Sequence, residues 1–156
     1  TPKVIQCDIQ GHNGLAFSPD KRWMFTSDTP NGVIYRTPLD KQGEPGKREE
    51  FRRFSEGEGI PDGAAMDEEG CYWSALFDGW RIARFSPQGV QLEEYRLPVR
   101  CPTMVCFGGD DMKTLFITTT RENMEAEELA KYPLSGAIFT LPVNVAGMKK
   151  SRFIEH

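Results

Sequence analysis

The chain has 156 residues, enough for one domain with a core of its own, and its 19 basic and 23 acidic side chains leave a formal net charge of −4. Mild acidity argues against a nucleic-acid partner, which would require a clustered basic face; the longest basic cluster, Met148-Lys-Lys-Ser-Arg152, reads as a solvated tail. No apolar run approaches the roughly 20 residues of a membrane helix, and no leader or lipidation motif is visible, so no membrane partner is expected.

In chain order, short apolar runs of period two alternate with Gly, Pro, Asn and Asp turns, which predicts an all-β fold. The first unit has candidate strands at residues 15–17, 23–27, 33–36 and 51–54, with Asn31-Gly32 as a hairpin turn. The second has strands at 64–66, 71–75, 81–85 and 91–95, with Asp78-Gly79 in the equivalent hairpin. The third has strands at 104–107, 114–118 and 137–141. Its last two are separated by an insertion, residues 121–131, whose composition predicts a short surface helix stopped by Pro133.

The units repeat a phrase. Asn13-Gly-Leu-Ala-Phe-Ser-Pro-Asp20 and Ile60-Pro-Asp-Gly-Ala-Ala-Met-Asp67 each place a short oxygen-bearing side chain before glycine, then an apolar run, then an acidic turn. A weaker copy is Pro102-Thr-Met-Val-Cys-Phe-Gly-Gly-Asp110. The steps between equivalent positions, 13 to 62 and 62 to 103, are 49 and 41 residues. A period of about 40–50 residues points to repeated sheet units, most often propeller blades. Three four-stranded blades are expected, at about 1–54, 55–98 and 99–150. Asn13 and Asp62 should then emerge at one pole of neighbouring units. Amide and carboxylate oxygens are hard donors, suited to calcium, magnesium or manganese. Read singly, each pair is an ordinary turn; only the repeat register makes them a candidate metal site.

Cys7, Cys71, Cys101 and Cys106 form no C-x-x-C pair, and the two histidines are His12 and His156, so a Cys/His zinc site is poorly supported. The cysteines read as free thiols in a reducing compartment, with Cys71, Cys101 and Cys106 as small buried hydrophobes, which predicts a cytoplasmic location. His12 reads as a surface or supporting residue, and Trp73 as core between units. Phe77 and Trp80 read as hairpin packing. Asp20, Asp67, Asp110 and Asp111 read as turn residues at the opposite rim, and Asp28 as a turn residue at the end of its strand.

Eight motifs in order carry a resemblance. They are Asn13-Gly-Leu-Ala-Phe-Ser-Pro-Asp20, Ile60-Pro-Asp-Gly63, Tyr72-Trp-Ser-Ala75, Arg81-Ile-Ala-Arg-Phe85, Leu97-Pro-Val99, Pro102-Thr103, Phe107-Gly-Gly109 and Leu115-Phe-Ile-Thr-Thr119. Together they resemble the senescence marker protein, gluconolactonase and luciferin-regenerating-enzyme-like family. The resemblance implies a six-bladed β-propeller about twice this length, of which residues 1–156 would be the C-terminal half. It implies one divalent cation in the central channel, calcium first, with zinc, magnesium or manganese as alternatives. It also implies hydrolysis of sugar lactones such as gluconolactone.

Two of the family's ligands, the asparagine of N-G-L and the aspartate of P-D-G, correspond to Asn13 and Asp62, and Asp62 is also the implied catalytic base. The third, a glutamate, would lie outside this chain. Glu56-Gly-Glu-Gly59 resembles that glutamate's phrase but sits in the loop before Asp62, so Glu58 is expected to be a decoy. Thr103, at the third equivalent position, is expected only to line the channel. The half-propeller alone is expected to be inactive, and to need the N-terminal half or a second copy to close the ring. The alternatives are a non-catalytic calcium-binding propeller with a regulatory role and a propeller hydrolase acting on other esters.

Overall fold

The computed structural model describes residues 1–149, so the basic cluster beyond Lys149 lies outside them. These residues are nearly all β and form three antiparallel sheets. The first contains β1 (His12–Phe17), β2 (Trp23–Asp28), β3 (Val33–Pro38) and β4 (Glu49–Arg53), in chain order. The second repeats that order with β5 (Ile60–Met66), β6 (Tyr72–Phe77), β7 (Arg81–Phe85) and β8 (Gln91–Arg96). The third contains β9 (Pro102–Gly108), β10 (Thr114–Thr119) and β11 (Ile138–Pro142).

Four strands were expected in each sheet, but the third has three among the described residues. Pro142, which has no N–H to extend a ladder, ends β11. The chain then crosses to the second sheet, where Gly147 bridges Asp67 and the Met148 N–H donates to the Met66 carbonyl. The expected helix is also shorter: α1 covers Ala126–Lys131, and Asn123, with φ +58°, turns the chain before it. The first hairpin is a four-residue turn closed by the Gly32 N–H on the Thr29 carbonyl, with only Gly32 at positive φ, and not the two-residue Asn-Gly turn.

Alternation along the strands explains the stacking. Along β6, Tyr72 and Leu76 point to one side of the second sheet and meet Phe25, Ile34 and Ala16 of the first. Trp73 and Ala75 point to the other side and meet Val105, Phe107, Leu115 and Ile117 of the third. The second sheet is thus covered on both faces, which is why β6 is buried along nearly its whole length. Trp73 is the expected core residue between units, edge-on to Phe107 at 5.5 Å and stacked on Tyr95 at 5.8 Å.

One feature of this core was not foreseen. Asp67 occupies the expected turn, where one carboxylate oxygen accepts from the N–H groups of Glu69 (3.0 Å) and Cys71 (2.9 Å). Its other oxygen is buried and accepts from Trp73 Nε1 (2.9 Å) and Arg84 Nε (2.8 Å). Arg84 also reaches Glu69 and Glu93. Asp67 is therefore a buried ionic hub that holds the Trp73 indole in place. Removing one partner of such a pair leaves the other charge buried and uncompensated. Asp67→Ala is expected to cost about 3–5 kcal/mol of stability, read as a lowered urea midpoint with an unchanged slope.

Candidate functional site

The sheets place three strand beginnings side by side. β1 lies against β5 and β5 against β9, so Asn13, Asp62 and Thr103 come to one end of the molecule. Each of these strands carries a β-bulge there. Asn13 pairs with Ser27 and Ala16 with Phe25, so Gly14 and Leu15 oppose a single residue. Pro61 pairs with Leu76 and Ala64 with Ser74, so Asp62 and Gly63 oppose one residue. Pro102 pairs with Thr119 and Met104 with Thr118, which leaves Thr103 unopposed. A bulge bends its strand and re-aims side chains, a common device beside functional sites.

The glycines of the repeated phrase admit this crowding. Gly14, at φ +55°, has no room for a side chain: a methyl group there would lie 2.7 Å from Ser27 Oγ and would also strike the Tyr72 hydroxyl. A methyl group at Gly63 would lie 2.6 Å from the Thr103 carbonyl oxygen. Neighbouring strands are also bonded across the gap. The buried Tyr72 hydroxyl donates to the Gly14 carbonyl at 2.7 Å, and Ser27 Oγ donates to the Asp62 carbonyl at 3.2 Å.

Asn13 and Asp62 meet directly. The Asn13 amide Nδ2 donates to Asp62 Oδ1, while Asn13 Oδ1 accepts from the Gly14 N–H at 3.0 Å. Thr103 is half-buried, and its hydroxyl shares a 2.8 Å hydrogen bond with that of Thr118. No described Lys or Arg pairs with Asp62. Burial pushes its pKa up to about 6, and the negative charge of Glu122 adds to the effect. Glu122 belongs to the insertion between β10 and β11, which rises from the same end of the sheets. No local sequence signal connected it with Asp62.

The secondary candidates fall elsewhere. Glu58 accepts from the Ser55 N–H at 2.7 Å and from Arg52 at 3.2 Å; those partners hold its carboxyl below the usual range, so it is an ion-pair residue of its loop. Asp28 takes the expected turn position and accepts from Asn31 at 2.8 Å. Trp80 packs edge-on to Tyr132 at 4.8 Å, so its hairpin supports the insertion. Asp20, Asp67, Asp110 and Asp111 lie at the opposite end. Asp67, Glu69 and Cys71 converge there with metal-competent atoms, but the four donors on Asp67 already occupy both its oxygens. Cys71 and Cys101 are buried, as expected, but Cys106 is only half-buried and Cys7 is exposed. An apolar cavity of about 570 Å³ runs along the strands beyond the site, is lined by residues such as Leu15, Met66 and Met104, and includes neither Asn13 nor Asp62. Among the described residues no helix is long and apolar enough to cross a membrane.

Comparison with known proteins bears on this arrangement. Residues 1–121 match the family model described as the SMP-30/Gluconolactonase/LRE-like region. The chain belongs to that family. It is 56% identical over 152 residues to a 6-deoxy-6-sulfogluconolactonase from Pseudomonas putida, a match covering 97% of this chain and 52% of the relative. It is 30% identical to an L-arabinolactonase from Azospirillum brasilense, covering 90% of this chain and 46% of that one. Among solved structures it is similar to regucalcin from Agrobacterium tumefaciens, described as a calcium-binding protein, with TM-score 0.87, 31% identity and coverage of 92% of this chain and 50% of that chain. The chain thus spans about half the length of the family members it matches.

The raised pKa of Asp62 has a consequence for stability. The folded state binds this proton more tightly than the unfolded state, whose carboxyl titrates near its ordinary value of 3.8. The carboxylate therefore costs nothing below pH 4, destabilises progressively between about pH 4 and about pH 6, and exerts its full effect above that. In cation-free protein, Asp62→Asn is expected to raise the melting temperature at pH 7.5. The gain should vanish by pH 4, and a pH-independent difference would contradict the assignment.

Proposed function

We propose that the whole protein is a divalent-cation-dependent sugar lactonase, with Asn13 and Asp62 among its cation ligands and Asp62 as the base. The observation that carries this reading is the uncompensated carboxylate. Asp62 is half-buried beside an amide, near a second acidic residue, without a basic partner among the described residues. A cation supplies the missing counter-charge, and an amide–carboxylate pair suits a hard ion. Calcium is the first choice, supported by the likeness to a calcium-binding regucalcin, with magnesium, manganese or zinc as alternatives. Further ligands come from the remainder of the protein, which we read as a six-bladed propeller with this chain as its C-terminal half. The half alone is then inactive.

When bound, the cation would withdraw electron density from the lactone carbonyl. The protein's own groups handle the proton. Asp62 is ionised at neutral pH, and its second carboxylate oxygen can accept a proton while the first faces the cation. It takes a proton from the water that attacks the carbonyl carbon. The ring C–O bond then breaks, and the proton passes to the departing ring oxygen, giving the open aldonic acid, which releases its carboxyl proton to solvent as the aldonate. Asn13 fixes the carboxylate through its amide, and the Ser27 hydroxyl fixes the backbone beneath it. The substrate class follows the lactonase relatives and includes lactones sulfonated at carbon 6, as the Pseudomonas putida relative is named.

The test uses full-length protein, gluconolactone and a pH indicator, with and without chelator. Asp62→Ala and Asn13→Ala are each expected to abolish cation-dependent turnover. Unchanged rates in both variants would overturn the site, and cation binding without turnover in the wild type would favour a non-catalytic regulatory propeller.

A further inference from the structure

Arg121 stands apart from the other arginines. Of ten described, eight pair with a carboxylate: Arg36, Arg48, Arg52, Arg53, Arg81, Arg84, Arg96 and Arg100. The exceptions are Arg22 and Arg121. Arg22 lies between β1 and β2, at the end remote from Asp62 and beside Asp20. Arg121 is therefore the one described arginine at the Asp62 end that has no carboxylate partner.

Its place is fixed by the fold. β10 ends at Thr119, paired with Pro102 next to Thr103, and Arg121 follows two residues later. Its neighbour Glu122 is the charge that acts on Asp62, so Arg121 stands off from the carboxylate while sharing its rim. The side chain is also held. Its Nε donates to the Ser135 carbonyl at 2.8 Å. Its stem passes over Gly136, where a methyl group would lie 3.1 Å from Arg121 Cγ, in a backbone conformation, φ +84°, that suits glycine. This leaves both terminal nitrogens without a partner among the described residues.

A guanidinium anchored through Nε presents its terminal N–H groups as a fork, and such a fork matches the oxygens of an oxyanion. An anionic substrate approaching Asp62 also meets Glu122, and like charges repel unless a fixed cation offsets them. We infer that Arg121 binds an anionic substituent, a sulfonate or phosphate, at the end of the substrate remote from the lactone carbonyl. The inference rests on the lactonase reading above and adds to it a residue that sets substrate preference.

Full-length wild type, Arg121→Gln and Arg121→Lys are compared on 6-deoxy-6-sulfogluconolactone, 6-phosphogluconolactone and gluconolactone. Loss of a charge-assisted contact is expected to lower the preference for the anionic over the neutral lactone by about tenfold to a hundredfold in Arg121→Gln. The change should lie in KM and not in kcat, and Arg121→Lys should retain part of the preference. Whichever anionic substrate loses more identifies the substituent. A loss shared equally by charged and neutral lactones, or none, overturns the inference. Calorimetric binding of the open products, 6-deoxy-6-sulfogluconate, 6-phosphogluconate and gluconate, separates it from the lactonase reading. If the wild type turns over no lactone but binds an anionic product more tightly than gluconate, and only while Arg121 is present, the lactonase reading falls and the anion site stands. If it binds no anionic product in preference to gluconate, the anion site falls.

Discussion

The arrangement of this molecule depends on how closely its first strands approach one another. Where β1 meets β5 and β5 meets β9, backbone lies against backbone with no space for a Cβ at Gly14 or Gly63. That proximity lets the Tyr72 hydroxyl reach the Gly14 carbonyl and Ser27 reach the Asp62 carbonyl. It also brings Asn13 and Asp62 into contact across 49 residues of sequence. Each glycine therefore acts on the site through the residue before it. By removing bulk from one position, it allows the preceding polar side chain to meet its counterpart on the next strand.

Two aspartates at opposite ends of one strand, β5, show how differently this fold treats a negative charge. Asp67 is fully buried, yet Arg84, Trp73 and two backbone N–H groups satisfy it completely. It serves packing, fixing the indole that fills the space between the second and third sheets. Asp62 is less buried but has one neutral donor and a negative neighbour. A chain under selection for stability alone would pair or remove such a group. Its unfavourable environment is the physical ground on which Asp62, and not Asp67, is proposed as the functional carboxylate.

Much of this was legible in the sequence, for identifiable reasons. Strand alternation and the spacing of Asn13-Gly and Asp62-Gly are local patterns, so strand positions and the convergence of the two side chains could be read from them. Asp67 was legible only as a turn residue, because its bonds to Trp73 and Arg84 depend on which face of β6 and β7 points inward. The bulges were invisible, since a ladder that skips one partner leaves the residue pattern of a regular strand. The length of α1 was overestimated because residues 121–125 have helical composition, while contacts with Arg100 draw them into a turn. Glu122 and Arg121 were missed because charged residues in an insertion look like solvated surface until the sheet ends place that insertion at the Asp62 end, with Glu122 acting on its charge.

The insertion is fastened in an unusual way. Arg100 bonds Asp78 of the neighbouring hairpin, Glu128 of α1 and the Asn123 carbonyl, and Trp80 packs on Tyr132. Yet α1 itself buries no residue. The rim is therefore positioned by a few contacts at its base and contributes little to the core. In evolutionary terms this separates two kinds of change. Substitutions in the sheets endanger folding, whereas substitutions along the insertion can alter the charge and shape presented beside Asp62 at small thermodynamic consequence. A lineage could reshape this segment by drift, with Asp62 and its supporting strands left untouched.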